Sequence, residues 1–228
     1  FTVKSTKVTL SFTELETIQA KTFEDATLEA AKDWLIIGCY TGQRVSDLLR
    51  MNSSMIQDYG KVRLLTITQQ KTSKTVQIPL HHKVREILNK RSGEFPPVFA
   101  PGAGSNSTIF NQKLKTIVRR AGLNEPTQGT VFNETTKSNE PGLYPKWKLV
   151  SSHICRRSFA TNFYADTSYP TPLLMNITGH STEKMFLEYI GKPPLDYSLQ
   201  LAKVWAEKEG AQPPEEPQVL TLVKAGNQ

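Results

Sequence analysis

The 228-residue sequence is poor in cysteine and has no long apolar run. Cys39 and Cys155 are its only cysteines, so a disulfide framework is not expected and a reducing compartment, the cytoplasm, is predicted. A membrane-spanning helix needs about 18 consecutive apolar residues. The longest candidate, "WLIIGCY" at 34–40, is far shorter. The sequence therefore predicts a protein without a membrane span.

Motifs for metal and nucleotide binding are also missing. The 4 histidines show no H-E-x-x-H spacing, and the two cysteines form no C-x-x-C pair. The glycine-containing stretch "PGAGSNST" at 101–108 lacks the G-K-[ST] ending of a phosphate-binding loop. We expect neither a metal ion nor ATP as a cofactor.

Positive charge is in excess and concentrated in one segment. The formal net charge is +7, and residues 61–91 carry eight Lys or Arg against the single acid Glu86. Such a run is as compatible with a solvated face as with a surface that contacts DNA. Charge alone leaves the two interpretations open.

The periodicity of apolar residues predicts a mainly α-helical fold with a small antiparallel β-sheet, an α+β class. The alternating stretches "KVRLLTITQQ" and "KTVQIPL" indicate two strands joined by a turn at 70–74. Residues 124–148, rich in Pro, Gly, Asn and Thr, are compatible with a hairpin or an extended loop. Helical patterns cover roughly 11–20, 25–37, 45–49, 81–91, 107–122, 151–166, 171–177, 181–190 and 195–208.

Several polar side chains lie off the apolar stripes, near predicted turns or helix ends. They are Arg44, Lys71, His153, Arg156, His180 and Tyr189. Two arginines can pair with the oxygens of one phosphodiester and stabilise the charge of its transition state. A tyrosine can attack the phosphorus, a lysine can protonate the leaving 5′-oxygen, and a histidine can handle the tyrosine's proton. The set predicts phosphodiester cleavage without a metal.

Four segments resemble the signature segments of the tyrosine recombinase (phage integrase) family. They are "TGQRVSDLL", "QKTSKTVQIPL", "HICRRSFATNF" and "ITGHSTEKMFLEYI", in the family's order, and His180 precedes Tyr189 by nine residues as in the family. The likeness is greatest to integrases of bacterial mobile elements such as conjugative transposons and prophages. It implies that residues 1–228 form the family's catalytic domain, without the N-terminal helical domain that completes the clamp on DNA.

The resemblance assigns expected roles residue by residue. Arg44 and Arg156 match the arginine pair, His153 and His180 the two histidines, and Tyr189 the nucleophile. Lys71 matches the hairpin lysine and is preferred over its neighbour Lys74. Asp47 matches an acidic position expected to orient Arg44 through an i, i+3 salt bridge. Further expected contacts with the DNA backbone are Lys74, His81, His82 and Arg157.

The resemblance implies a site-specific recombinase that cleaves and rejoins DNA through a 3′-phosphotyrosine. Expected partners are double-stranded DNA, further copies of the chain in a tetramer and, in some systems, accessory DNA-bending proteins. Two alternatives stay open: a type IB topoisomerase-like enzyme and a catalytically silent DNA-binding module. We expect residues 195–228, a helix followed by a tail with the apolar patch "VLTLV", to dock on a neighbouring protomer within the DNA-bound tetramer, and on their own domain or on a crystal neighbour in the isolated fragment.

Overall fold

The buried helix α2 organises the part of the chain that carries the predicted site. The computed structural model describes residues 7–166, 168–190, 198–199, 201–202 and 204–206. In α2 the consecutive residues Trp34, Leu35, Ile36 and Ile37 are all buried, so this helix is enclosed on every side. It packs against α1, α3, α4, α5 and α7. The helices are α1 (Phe12–Gln19), α2 (Ala26–Thr41), α3 (Val45–Leu48), α4 (His82–Lys90), α5 (Ala103–Arg120), α6 (Lys146–Leu149), α7 (His153–Tyr164), α8 (Thr171–Thr178) and α9 (Glu183–Leu187).

A three-stranded antiparallel sheet is formed by the part of the chain that connects α3 to α4. Its strands β1 (Ile56–Tyr59), β2 (Val62–Thr68) and β3 (Thr75–Pro79) are ordered β1-β2-β3. Leu65 pairs with Ile78 and Ile67 with Val76, and all four side chains are buried. Their alternation with exposed residues confirms the two predicted strands. The edge strand β1 was not predicted, because only its first residue is apolar and three of its four residues are exposed.

Residues 124–148, whose sequence was compatible with a hairpin or an extended loop, contain a β-hairpin. Strands β4 (Pro126–Asn133) and β5 (Ser138–Pro145) pair antiparallel along their whole length, and α6 follows directly. The predicted extent of two helices also changes. Helix α2 continues beyond residue 37 to Thr41, and α5 begins at Ala103, before its predicted start at 107.

Contacts between residues divide the chain into two units, Phe1–Gly191 and Lys192–Gln228. In the second unit, residues 198–199, 201–202 and 204–206 are helical. The predicted tail at 211–228 and its patch "VLTLV" lie outside the described residues. No helix among the described residues is long and apolar enough to cross a membrane.

Candidate active site

Two glycines with positive φ angles place the backbone around the predicted site. Gly42 ends α2 at φ 66°, so the next turn brings Arg44 to the start of α3. Gly179 ends α8 at φ 72°, and His180 follows it. Each adopts the left-handed conformation that glycine allows at low cost. The sequence motifs T-G-Q-R and T-G-H therefore correspond to two helix C-terminal turns.

Arg156 lies at the centre of the site and is 1% exposed. Its Nη1 donates to the carbonyl oxygen of Gly42 at 3.0 Å, and its Nη2 donates to that of Thr178 at 2.6 Å. Burial and, after it, the positive charge of Arg44 lower the pKa of Arg156 to about 10, so it remains a cation at neutral pH. Helix α7 thus supplies a buried charge that joins both glycine turns.

His180 is a neutral, oriented imidazole. Its Nε2 lies 3.1 Å from Arg156 Nη2, and its Nδ1 lies 2.8 Å from Thr178 Oγ1. Since arginine can only donate, Nε2 accepts, and Nδ1–H donates to the threonine hydroxyl. That hydroxyl in turn donates to the carbonyl oxygen of Leu174 at 2.7 Å. Burial, followed by the charges of Arg156, Arg44 and Lys74, lowers the pKa of His180 to about 3.

Tyr189 packs directly on these two residues. Its ring centroid is 4.9 Å from that of His180, and the Arg156 guanidinium carbon lies 5.3 Å from the centre of the Tyr189 ring. Helix α9 is buried through Phe186, whose ring lies 5.6 Å from that of His180. Tyr189 follows α9 by two residues and is partly exposed. The predicted nucleophile thus lies beside the buried arginine.

His153 and Lys71 lie in the positively charged environment of the same site. Partial removal of His153 from water lowers its pKa, and the charges of Arg157, Arg156, Arg44 and Lys71 lower it further. Lys71 is exposed in the turn between β2 and β3. The charges that act on His153 therefore make this region positively charged.

Lys74, the second lysine of the turn, contacts the loop that carries His180. Its Nζ donates to Ser181 Oγ at 2.9 Å. In this turn the backbone N–H of Gln69 donates to the Lys74 carbonyl at 2.8 Å and that of Ser73 to the Gln69 carbonyl at 2.9 Å, and Ser73 has a positive φ of 53°. Both lysines of the turn are therefore near the site, and both are candidates for a proton-transfer role.

The predicted salt bridge between Asp47 and Arg44 is wrong. Asp47 is buried and pairs with Arg50 at 3.0 Å, and it accepts the backbone N–H of Gln70 at 2.9 Å. Arg44 precedes α3 with an extended backbone, so the i, i+3 spacing of a helix does not apply to it. Asp47 instead connects α3 to the first residue of the lysine-bearing turn.

His81 and His82 belong to a different cluster. His81 stacks on Tyr40 at 4.4 Å between ring centroids and lies 6.2 Å from the Phe163 ring. Its ring nitrogen Nδ1 accepts the backbone N–H of Lys83, and burial lowers its pKa to about 4. His82 contacts His81 and is exposed. Among the described residues, neither histidine contacts the site around Arg156.

Part of the basic segment 61–91 is neutralised by acids. Ion pairs join Arg63 to Asp58, and both Lys90 and Arg91 to the buried Asp33. The pairs with Asp33 join α2 to the C-terminal end of α4, and the pair between Arg63 and Asp58 joins β2 to the edge strand β1. The charge available to a polyanion is therefore smaller than the sequence count indicates.

Two buried glutamines belong to the site and were missed in the sequence. Gln43 and Gln69 are both 0% exposed, and Gln69 Nε2 donates to Gln43 Oε1 at 2.8 Å. Gln69 Oε1 accepts a hydrogen bond from Arg44 Nη1 at 3.3 Å. The alternation of β2 contained a signal, because Leu65, Ile67 and Gln69 fall on the same inward face.

Gly179 also provides the space for Gln69, which leads to a stability prediction. A Cβ at Gly179 would lie 2.3 Å from Gln69 Oε1, whereas a Cβ at Gly60, also with positive φ, would meet nothing within 4 Å. Gly60→Ala should cost roughly 1–2 kcal/mol of unfolding free energy from backbone strain alone. Gly179→Ala should cost clearly more, as measured by chemical denaturation. Equal losses in both variants would contradict the assigned contact.

Comparison with known proteins identifies the family. The profile of the Phage integrase family matches residues 8–193. The chain belongs to the phage integrase family. A search of curated protein sequences found no match. No group of three or more His, Cys, Asp or Glu within the described part of the chain could hold a metal ion.

Solved structures of family members share the fold at low identity. One is the XerH site-specific recombinase bound to its difH substrate, with a TM-score of 0.54, 16% identity, and coverage of 90% of this chain and 56% of that one. A lambda integrase dimer bound to a COC′ core site has a TM-score of 0.55, 21% identity, and coverage of 82% and 60%. The Tn1549 transposon integrase in complex with transposon right-end DNA has a TM-score of 0.55 and 17% identity, and the match covers 91% of this chain and 67% of that one. This chain thus spans little more than half of the XerH chain.

Proposed function

We propose that the chain is the catalytic domain of a site-specific DNA recombinase that works through a covalent 3′-phosphotyrosine. The observation that carries the proposal is the position of Tyr189, with its ring against His180 and over the guanidinium of Arg156. A phenol placed beside an arginine can attack a phosphodiester that this arginine holds. Family membership supports the same chemistry.

Arg44 and Arg156 are proposed to bind the scissile phosphate. Arg156 uses its Nη groups to hold Gly42, Thr178 and His180. Its Nε is buried and has no hydrogen-bond partner within the described part of the chain. An unsatisfied buried donor on a cation is costly unless a ligand supplies an acceptor. A phosphate oxygen is such an acceptor, and Arg44 would neutralise the second charge of the transition state.

The proposed reaction is balanced by the residues of the site. Tyr189 Oη forms a bond to phosphorus, and the bond from phosphorus to the 5′-oxygen breaks. A lysine gives a proton to that oxygen, and a neutral histidine accepts the proton of the tyrosine. The lowered pKa of His153 favours its neutral form at pH 7, in which it can accept a proton, whereas the acceptor nitrogen of neutral His180, Nε2, is already engaged by Arg156 Nη2 at 3.1 Å. Because the phosphotyrosine conserves the energy of the phosphodiester, rejoining is the same step in reverse and consumes no ATP.

Lys71 is proposed as the general acid, with Lys74 as its rival in the same turn. Lys71→Ala should slow cleavage of ordinary DNA by about 10²–10⁴-fold. A 5′-bridging phosphorothiolate should restore most of that rate, since the thiolate leaves without needing a proton. Single-turnover cleavage rates on the two substrates measure the effect. Restoration in Lys74→Ala, and its absence in Lys71→Ala, would transfer the role to Lys74.

A nicked suicide substrate tests the proposed function. The chain is incubated with a nicked recombination site of its element, and covalent protein–DNA complex and joined recombinant product are measured separately. A recombinase gives both products. Covalent complex with DNA relaxation and no recombinant would indicate the topoisomerase-like alternative. DNA binding without covalent complex would indicate the silent module and overturn the proposal.

The biological setting proposed for the chain follows from its relatives. We propose integration or excision of a bacterial mobile element in the cytoplasm, by a tetramer of the whole protein on double-stranded DNA. Structures of a lambda integrase tetramer on a Holliday junction and of a transposon integrase on transposon-end DNA support these choices. Accessory DNA-bending proteins and docking of the C-terminal residues 195–228 on a neighbouring protomer stay part of the proposal. The tail at 211–228 lies outside the described residues.

A further inference from the structure

Gln69 connects three segments that each carry a residue of the proposed active site. It follows β2 directly and is fully buried. Its Oε1 accepts hydrogen bonds from Arg44 Nη1 at 3.3 Å and from Thr72 Oγ1 at 2.8 Å. Its Nε2 donates to Gln43 Oε1 at 2.8 Å and to the Thr178 carbonyl oxygen at 3.0 Å. All four hydrogen-bonding positions of the amide are therefore used.

The partners determine the orientation of the Gln69 amide. Arg44 can only donate and the Thr178 carbonyl can only accept, so exchange of the amide oxygen and nitrogen would set donor against donor at Arg44 and acceptor against acceptor at Thr178. Gln43 is fixed in the same way, because its Nε2 donates to the carbonyl oxygens of Thr41 and Ile177. Its Oε1 is then left to accept from Gln69. The two amides form one directional network.

Arg44 depends on this network for its direction. Arg44 is partly exposed, and within the described part of the chain its side chain makes one hydrogen bond, to Gln69 Oε1. Arg156, by contrast, is held by two backbone carbonyls and His180. The same Gln69 amide donates to the carbonyl oxygen of Thr178, two residues before His180, and accepts from Thr72 in the lysine turn. A displacement of Gln69 would therefore be transmitted first to Arg44.

We infer that Gln69 is a positioning residue that aims Arg44 at the scissile phosphate; the inference rests on the proposed cleavage chemistry. Gln69 would not contact DNA. It holds the arginine, the lysine turn and the turn before His180 at fixed spacing, so that the phosphate meets a prearranged site. Gly179 leaves the space for this amide, since a Cβ there would lie 2.3 Å from Gln69 Oε1.

The experiment is a double-mutant cycle on single-turnover cleavage of a nicked suicide site. The variants are Arg44→Ala, Gln69→Ala and the double variant, with Gln77→Ala as a matched control. Gln77 is an exposed glutamine on the neighbouring strand β3 and lies outside the site. DNA affinity and the thermal unfolding temperature are measured for each protein.

If Gln69 acts through Arg44, Gln69→Ala should lower the cleavage rate by about 10²-fold, the scale of a misplaced catalytic group. DNA affinity should stay within about threefold of the wild type. The double variant should cleave no more than about threefold more slowly than Arg44→Ala, because one interaction is removed in both. Gln77→Ala should behave as the wild type. Losses that multiply in the double variant would overturn the inference.

A second variant keeps the test decisive if Gln69→Ala unfolds. Gln69→Glu has nearly the same shape, but it places a carboxylate on Arg44 and removes both N–H donors. A methylphosphonate at the scissile position lacks one of the charges that the arginines neutralise. The ratio of methylphosphonate to phosphate cleavage rates should rise at least about tenfold in Gln69→Glu if Arg44 is impaired. An unchanged ratio would overturn the inference.

The outcomes also separate this inference from the proposed function. If the wild-type chain forms no covalent complex, the proposed function fails and no statement about positioning remains. If the wild type cleaves and Gln69→Ala cleaves within about threefold of it, only the positioning role fails. A loss in Gln69→Ala that follows its unfolding temperature, with an unchanged methylphosphonate ratio in Gln69→Glu, would assign the residue to structure alone.

Discussion

Replacement of Tyr189 by phenylalanine should abolish the covalent protein–DNA complex and leave DNA binding within about threefold of the wild type. One hydroxyl contributes little to an interface that phosphate contacts dominate. The same hydroxyl supplies the bond to phosphorus in the proposed reaction, so its loss removes the product entirely. The phenylalanine ring would still pack on His180, since the ring centroids of Tyr189 and His180 are 4.9 Å apart in the wild type. Denaturing gels of a nicked suicide substrate and an equilibrium binding assay measure the two quantities.

Tyr164→Phe is the matched control for this experiment. Tyr164 is the last residue of α7, and its ring lies 6.1 Å from that of Phe186. Tyr164 and Tyr197, the latter outside the described residues, are the alternative candidates for the nucleophile. Tyr164→Phe should retain the covalent complex. If Tyr189→Phe retained it and Tyr164→Phe lost it, the nucleophile would be misassigned.

The sequence predicted where the candidate site residues lie in the fold, because the motifs coincide with the ends of regular elements. The glycines before Arg44 and His180 mark helix C-terminal turns, and both adopt positive φ angles in the structure. Alternation in 61–80 predicted the sheet that presents Lys71. These features depend on nearby residues, so local patterns are sufficient to find them.

Pairings across the fold were beyond the sequence. Asp47 has an arginine three residues away on each side, and spacing alone favours neither Arg44 nor Arg50. Arg44 does not pair with Asp47 because its backbone is extended and it lies outside α3. The Asp47 carboxylate instead accepts from the backbone N–H of Gln70, in the turn after β2, at 2.9 Å. Gln69 could have been placed on the inward face of β2, but its partners Gln43 and Thr178 come from two distant segments. Such contacts become visible only once the chain is folded.

Arg156→Lys should reduce cleavage by about 10³-fold while the protein still folds. Arg156 holds the carbonyl oxygens of Gly42 and Thr178 with separate nitrogens, 3.0 and 2.6 Å away. A lysine keeps the charge, but its single ammonium cannot reproduce the planar fork that joins both turns and that, in the proposed reaction, also binds the phosphate. The loss expected for one transition-state donor is about 10²–10³-fold. His180 contacts Arg156 Nη2 and would also be displaced, so we expect a loss at the upper end of this range.

The stability of Arg156→Lys should fall as well, and the two effects can be separated. Leaving one buried carbonyl without its donor costs about 1–3 kcal/mol of unfolding free energy. Arg120→Lys is the matched control, because Arg120 is exposed at the end of α5 and should tolerate the exchange. Chemical denaturation gives the free energies, and cleavage is measured at a temperature where both variants are folded. Cleavage by folded Arg156→Lys within about tenfold of the wild type would show that charge at this position suffices, and that the fork between the two glycine turns is not what the reaction requires.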